Sequence, residues 1–311
     1  MNKNVKKSAV ITGASGFVGS NLARHLIHNE WRVNILCRES TDFSKVDLDL
    51  ERVRLFRNDG SFSALKNCLG QIEKGSIVFH LASLFKSEHG ALDLDGLIDS
   101  NIRFPINLLE AMSFHGFNRL INTGTSWQHF KSADYEPVNL YAATKQGFED
   151  IIEYYVRAKK FSVVTLKLFD TYGPNDRRNK LVQLLIEAGI NNRQVDLSPG
   201  EQLIDLVYIQ DVLNAYEASA NLIFKSLDAS HDKFFISSGR ACSIKQLVSM
   251  LEIKLEKKLL VSWGKRDYRD REVMLPCYPS SLVPNWQPKT SLESGLSAVI
   301  DHYQTQGNYS A

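Results

Sequence analysis

Ala9-Val10-Ile11-Thr12-Gly13-Ala14-Ser15-Gly16-Phe17-Val18-Gly19 is the stretch on which the fold turns. A short apolar run of strand length passes into three glycines and then into a segment that places Leu22 and Leu26 on one helical face. In that order the glycines permit a tight turn, close approach of a pyrophosphate and close packing of helix on strand. The start of the helix then presents backbone N–H groups that no helical carbonyl uses, which suits phosphate oxygens. Gly13, Gly16, Phe17, Val18 and Gly19 are therefore expected to hold a dinucleotide. The competing reading is a glycine-rich turn with a purely structural role.

Outward from this turn, apolar runs at residues 32–37, 53–56, 77–82, 120–123 and 162–169 alternate with helical periodicity from Phe17, near 101–115 and from Leu140. Short runs rich in Val, Ile and Leu, separated by helices, imply parallel strands covered on both faces. The predicted fold is α/β, a doubly wound parallel sheet of the Rossmann kind. After Tyr172 the turn Gly173-Pro174-Asn175-Asp176 opens a more charged region of shorter elements. Residues 1–172 are thus expected to form the dinucleotide-binding domain, and 173–311 mainly a smaller mixed α/β substrate lobe. Segments near 203–240 should return to the first domain, with 234–236 as one more strand and Ser243 capping a helix through Leu251.

Composition limits the function classes. The 311 residues are 43% hydrophobic and 23% charged, and 37 Lys plus Arg against 35 Asp plus Glu leave a net charge of +2. No strong field points to nucleic acid or to an anionic membrane as partner. Cys37, Cys68, Cys242 and Cys277 lack the short paired spacings of a zinc site or a disulfide framework, so no metal is expected. Residues 1–8 are polar and basic and run into a short strand rather than a signal core, and no apolar run reaches a membrane span. The expectation is a cytoplasmic protein.

Tyr141-Ala142-Ala143-Thr144-Lys145 places a phenol and an ammonium four residues apart, on one face of a helix. A tyrosine hydroxyl titrates near ~10 in water, and a neighbouring cation favours its phenolate. Alone, such a pair is more often solvated. At the tip of the second strand, Leu36-Cys37-Arg38-Glu39-Ser40 bears on the cofactor: Arg38 and Ser40 favour the 2′-phosphate of NADP over NAD. Glu39 would reverse that choice if the strand ended one residue later. His80 and His89 read as structural rather than ligating.

The glycine turn, Tyr141 and Lys145 together resemble the extended short-chain dehydrogenase/reductase family of nucleotide-sugar epimerases, dehydratases and reductases. Further landmarks follow in order: Asp59, Phe79-His80-Leu81-Ala82-Ser83, Asn101, Thr123-Gly124-Thr125-Ser126, Leu168-Phe169-Asp170-Thr171-Tyr172-Gly173-Pro174, Asp205-Leu206-Val207-Tyr208 and Trp286-Gln287-Pro288. The resemblance implies that Tyr141 is the acid/base, that Lys145 lowers its pKa and holds the nicotinamide ribose, and that Thr125 hydrogen-bonds the reacting oxygen. It places Asp59 at the adenine, and Leu81, Ala82, Ser83 and Asn101 along the cofactor. It places Ser83, Thr125, Asp170, Lys180 and Arg271 toward the substrate, and it implies a homodimer through the helices carrying Asn101 and Tyr141.

A hydroxyl and a phenol converging on one carbonyl oxygen would stabilise the charge that appears there as hydride reaches carbon. Family dehydratases follow the threonine with an aspartate-glutamate pair, whereas Thr125 is followed by Ser126 and Trp127. Many relatives carry arginine where Ile204 stands, so the resemblance implies the hydride chemistry more fully than the substrate's pose or nucleotide. With Arg38, the missing acid pair points to the family's 4-ketoreductases of deoxysugar pathways: NADPH-dependent reduction of the C4 ketone of a nucleotide-linked 4-keto-6-deoxysugar. The alternatives are a nucleotide-sugar epimerase with tightly held NAD(P), a reductase of a non-nucleotide ketone, and a non-catalytic dinucleotide-sensing protein.

Overall fold

The computed structural model describes residues 7–44, 46–131, 135–226, 228–278 and 281–307, apart from the side chains of 306 and 307. Residues 1–6, which entered the reading of the N-terminus, lie outside the described residues. In chain order the elements are β1 (Ser8–Thr12), α1 (Phe17–His28), β2 (Arg32–Arg38), β3 (Val53–Asn58), α2 (Phe62–Leu69), β4 (Ile77–His80), α3 (Leu94–Ile98), α4 (Phe104–His115), β5 (Arg119–Thr125), α5 (Leu140–Lys159) and β6 (Ser162–Leu168). There follow β7 (Asp170–Tyr172), α6 (Leu181–Ile190), β8 (Val195–Asp196), β9 (Leu203–Tyr208), α7 (Ile209–Lys225), β10 (Ser230–Ile236), β11 (Ala241–Ser243), α8 (Ile244–Leu255), β12 (Val261–Ser262) and α9 (Leu292–Gly307).

Seven strands form one parallel sheet in the order β10-β6-β5-β4-β1-β2-β3. Successive side chains of a strand point to opposite faces. Val10 accordingly joins Leu65, Leu108, Met112, Phe148 and Ile152 beneath α2, α4 and α5, while Ile11 joins Leu22, Leu26, Val212 and Tyr216 beneath α1 and α7. Both faces are covered, which is why the strands read as continuous apolar runs. The order reverses between β1 and β4, so a crevice opens at the carboxyl ends of those strands. The glycine turn, the loop after His80 and Thr125 all stand at that edge.

A third core, with Leu185, Ile186, Leu206, Leu247, Leu251 and Leu296, belongs to the later chain. There β11-β9-β7 forms a three-stranded sheet, antiparallel at β11–β9 and parallel at β7–β9, beside a small parallel β12–β8 pair. Strand β10 pairs with β6 along seven residues, longer than the 234–236 expected, and α8 runs to Leu255. Ser243 caps α8: its Oγ accepts from Gln246 N, and Gln246 Oε1 accepts from Ser243 N.

The helix expected near residue 101 starts earlier, at Leu94, and passes through a π-helical turn at Asp99–Arg103 before α4. Pro105 has no N–H to give to the carbonyl four residues back, so the regular ladder breaks at Asn101. Such wider turns re-aim a side chain. No helix among the described residues is long and apolar enough to cross a membrane.

Candidate active site

Thr12 organises the floor of the crevice. Its Oγ1 accepts the N–H groups of Leu81 and Ala82, each at 3.2 Å, and lies 2.9 Å from His80 Nδ1. A hydroxyl that accepts twice directs its own proton to the imidazole, so Nδ1 is the acceptor. Burial, reinforced by the charge of Lys145, pushes His80 down to about 3, and its neutral ring packs against Phe104 and Phe148. His80 therefore shapes the site without titrating near neutrality.

Gly13 has φ of +75°, and a Cβ there would stand 2.6 Å from Ala82 N and 2.8 Å from Leu81 C. A Cβ on Gly19 would stand 2.2 Å from Gly13 O. The turn therefore packs directly on the loop after β4, and only glycine fits. Gly16 caps α1 without a side-chain hydrogen bond, which leaves the helix's first N–H groups, those of Phe17 and Val18 among them, for another acceptor. A cavity of about 220 Å³ opens there, lined by Ser15, Gly16, Phe17, Arg24, Arg177 and Arg178. This cradle fits a dinucleotide pyrophosphate. At the tip of β2, Arg38, Glu39 and Ser40 are exposed. Arg57, unremarked in the sequence, donates to the carbonyls of Arg38, Glu39 and Thr41 at 3.4, 2.7 and 3.1 Å and braces that tip. Asp59 is exposed, and hydrogen bonds from the Ser61 side chain and then from Ser61 N hold its carboxylate below its usual range.

The π-turn aims Asn101 inward, 2% exposed. Its Oδ1 accepts from Ser83 Oγ at 2.9 Å and Leu84 N at 2.8 Å, and its Nδ2 donates to Leu84 O and Thr144 Oγ1, each at 3.0 Å. All four hydrogen-bonding positions of the amide are engaged within the chain. These bonds join the Ser83 loop to α5 through Asn101.

Helix α5 is capped by Asn139, which accepts Ala142 N, and carries Tyr141 in its first turn. Tyr141 is half-buried, hydrogen-bonded to Ser83 and edge-on to Phe85 with ring centroids 5.0 Å apart. The expected depression of the phenol by Lys145 is not what the structure has. Burial pushes Tyr141 up to about 12, against the opposing effects of the Ser83 hydrogen bond and the Arg178 charge. Lys145 is 3% exposed, and burial pushes it down to about 8, with Glu149 opposing. Desolvation outweighs pairing on both groups, so near neutral pH the phenol is protonated and the ammonium charged.

Thr125 ends β5 and caps the short turn Ser126–Gln128. Its Oγ1 accepts Trp127 N at 3.3 Å, while its own hydroxyl proton has no acceptor among the described residues. The indole of Trp127 meets Phe85 at 5.7 Å, so three rings connect the end of β5 to Tyr141. Beneath lies a network the sequence reading missed. Gln128 and Glu149 have 0% exposure; Gln128 Oε1 accepts Thr125 N at 3.0 Å, and Gln128 Nε2 donates to Glu149 Oε1 at 2.6 Å. Glu149 Oε2 lies 3.3 Å from Lys167 Nζ, which donates to His129 Nε2 at 2.8 Å. One signal was available: Glu149 follows Lys145 by one helical turn on the same buried face.

At the mouth, Lys180 Nζ sits 3.9 Å from Asp170 and 4.4 Å above the ring of Phe85, the same ring that meets Tyr141. Arg178 forks onto Asp176, with both contacts at 2.7 Å, and lies over Phe17. Arg271 is engaged elsewhere, with Glu136 at 3.0 Å and over Phe130. Arg269 lies over Trp127 at 5.9 Å and 3.5 Å from Glu88. The structure thus gathers Gly13, Ser83, Tyr141, Lys145 and Lys180 around one crevice, with Thr125 joined to it through the aromatic rings.

A switch-point crevice with a glycine cradle, a protonated phenol and a buried ammonium defines an NAD(P)-dependent enzyme of the oxidoreductase and epimerase type. Residues 9–224 match the model of the NAD dependent epimerase/dehydratase family, and the chain belongs to that family. It is 30% identical over 274 residues to CDP-abequose synthase of Yersinia pseudotuberculosis, covering 86% of this chain and 91% of that relative. It is 24% identical over 327 residues to UDP-glucuronate 4-epimerase of Thermodesulfobacterium geofontis, covering 94% of each. Among solved structures, MoeE5 in complex with UDP-glucose and NAD superposes with a TM-score of 0.79 at 23% identity, covering 96% of this chain and 99% of the other.

Proposed function

We propose that the protein reduces the C4 ketone of a nucleotide-linked 4-keto-6-deoxysugar with NADPH. The observation that carries this reading is Tyr141, hydrogen-bonded to Ser83 and edge-on to Phe85 beside the glycine cradle, with Ser126 and Trp127 in place of an acid pair after Thr125. NADPH, when bound, supplies the hydride. Gly13, Gly16 and the first N–H groups of α1 hold its pyrophosphate, Leu81, Ala82 and Ser83 line it, and Asp59 lies at its adenine end. Arg38 and Ser40, on the tip braced by Arg57, select the 2′-phosphate. Tyr141 donates the proton to the ketone oxygen, Thr125 hydrogen-bonds that oxygen, and Lys145 keeps a positive charge beside them. Asp170 and Lys180 bind the rest of the substrate, the cation serving its diphosphate, and Arg271 joins them on leaving Glu136. Residues 1–172 then carry the dinucleotide and 173–311 mainly the sugar nucleotide, in a cytoplasmic homodimer joined through the helices that hold Asn101 and Tyr141.

The name of the 30%-identical relative, a synthase of a CDP-linked deoxysugar, supports this reading. The epimerase among the other relatives supports a second one, in which the same groups oxidise and then reduce C4 with retained NAD(P). Incubation with a CDP- or dTDP-linked 4-keto-6-deoxysugar and, separately, with its 4-hydroxy counterpart separates them. The reductase consumes one NADPH for each ketone reduced; inversion of the 4-hydroxy sugar at C4 without net NADPH consumption would establish the epimerase. Light scattering of the purified protein tests the dimer, and a monomer at micromolar concentration would exclude it.

A further inference from the structure

Two aromatic rings in the cleft have no part in proton or hydride transfer. Phe85 is 41% exposed on the loop after β4, against Tyr141 on one side and Trp127 on the other. The backbone of Trp127 is fixed at both ends: its N–H donates to Thr125 Oγ1, and its carbonyl accepts Val138 N at 2.8 Å. Beyond the rings come Lys180 over Phe85 and Arg269 over Trp127. The contacts therefore run in sequence from hydroxyls to rings to cations. A matching ligand has a carbonyl, then an apolar flank, then an anion.

We propose that Phe85 and Trp127 form the specificity-determining wall of the site, selecting a nucleotide sugar whose exocyclic C6 is a methyl over one whose C6 carries a hydroxyl. The inference rests on the nucleotide-sugar reading above and gives it a structural reason for the 6-deoxy sugar. A methyl against the two rings buries apolar surface from both partners. A hydroxyl placed there leaves water for a wall whose single donor is the indole N–H.

The test is calorimetric binding of two nucleotide sugars that share nucleotide and stereochemistry, already hydroxylated at C4, and differ only in methyl against hydroxymethyl at C6. NADPH is present, and neither ligand is reducible by it. The 6-deoxy ligand should bind tighter by on the order of tenfold to hundredfold, the range open to an apolar pocket judging one group. Phe85→Ala and Trp127→Ala should each bring the ratio toward one. Phe85 stands on an exposed loop, so its variant keeps the test interpretable if the Trp127 variant melts early. A wild-type ratio near one, or a ratio that survives both substitutions, overturns the wall. NADPH oxidation with the 4-keto-6-deoxy substrate is read separately. Turnover with no binding preference overturns the wall alone, whereas preference without turnover overturns the reduction and leaves the wall standing; binding of neither ligand together with no turnover overturns both.

Discussion

On the sheet side of Tyr141, Gln128 and Glu149 have no exposed surface and join β5, α5 and β6 through hydrogen bonds and an ion pair. On the solvent side, Phe85 is 41% exposed, and the side chains of Lys180 and Arg269 are 33% and 45% exposed. The floor is a buried polar chain; the mouth is an open set of rings and cations. A buried ion pair that loses one member costs about 3–5 kcal/mol, whereas an exposed pair contributes about 0–1 kcal/mol. The two regions should therefore fail differently: the floor through folding and geometry, the mouth through choice of ligand.

Tyr141→Phe, where the regions meet, should have the largest effect. It keeps the ring against Phe85 and removes the proton donor, so kcat should fall by about 10²- to 10⁴-fold with NADPH affinity unchanged. Full activity in stopped-flow assays would remove Tyr141 from the chemistry. Glu149→Ala tests the floor itself. It leaves Lys167 and Lys145 buried without their carboxylate, and denaturant unfolding should show a loss of about 3–5 kcal/mol. Glu149→Gln keeps the bond to Gln128, so it should lose less. An alanine variant as stable as the parent would mean that the floor bears no more load than the mouth.

A smaller effect follows from His80, also part of the floor. Its folded pKa, near 3, lies below the ordinary value of 6.5, so the unfolded chain takes up this proton first as pH falls. Stability is thus fully present above about pH 6.5 and declines toward pH 3 by about 1.4 kcal/mol per unit from this group alone. His80→Phe should flatten that part of the pH–stability curve. An unchanged slope would assign the acid sensitivity to other groups.

The floor and the mouth also differ in how far they could be read from sequence. The glycine turn and the Tyr141–Lys145 spacing were legible because strand and helix periodicities are local, and each places its residues within a dozen positions. The Gln128–Glu149–Lys167 chain was not, because it joins three elements whose adjacency exists only once β5 and β6 pair. Arg57 escaped for the same reason, reaching the β2 tip from β3. The direction of the Tyr141 shift was read wrongly because a helical wheel reports a neighbouring cation but not the loss of water. The π-turn that aims Asn101 inward follows from Pro105, a signal present in the sequence and unused.

Lys180→Met gives the finest test of the contrast. The ammonium lies 3.9 Å from Asp170, both side chains are about one-third exposed, and the pair should contribute at most ~1 kcal/mol to stability. Methionine preserves most of the stem over Phe85 and removes only the charge. The melting temperature should barely move. If the mouth reads the substrate diphosphate, KM for the nucleotide sugar should rise by about tenfold, the order expected for losing one charge-assisted hydrogen bond, while kcat stays within about twofold. The opposite pattern, a fall in kcat at constant KM, would place Lys180 in the transition state and join the mouth to the chemistry of the floor. A loss of stability beyond ~1 kcal/mol would show instead that the Lys180–Asp170 pair holds the lobe in place, because a group that only meets the ligand has no effect on unfolding in its absence.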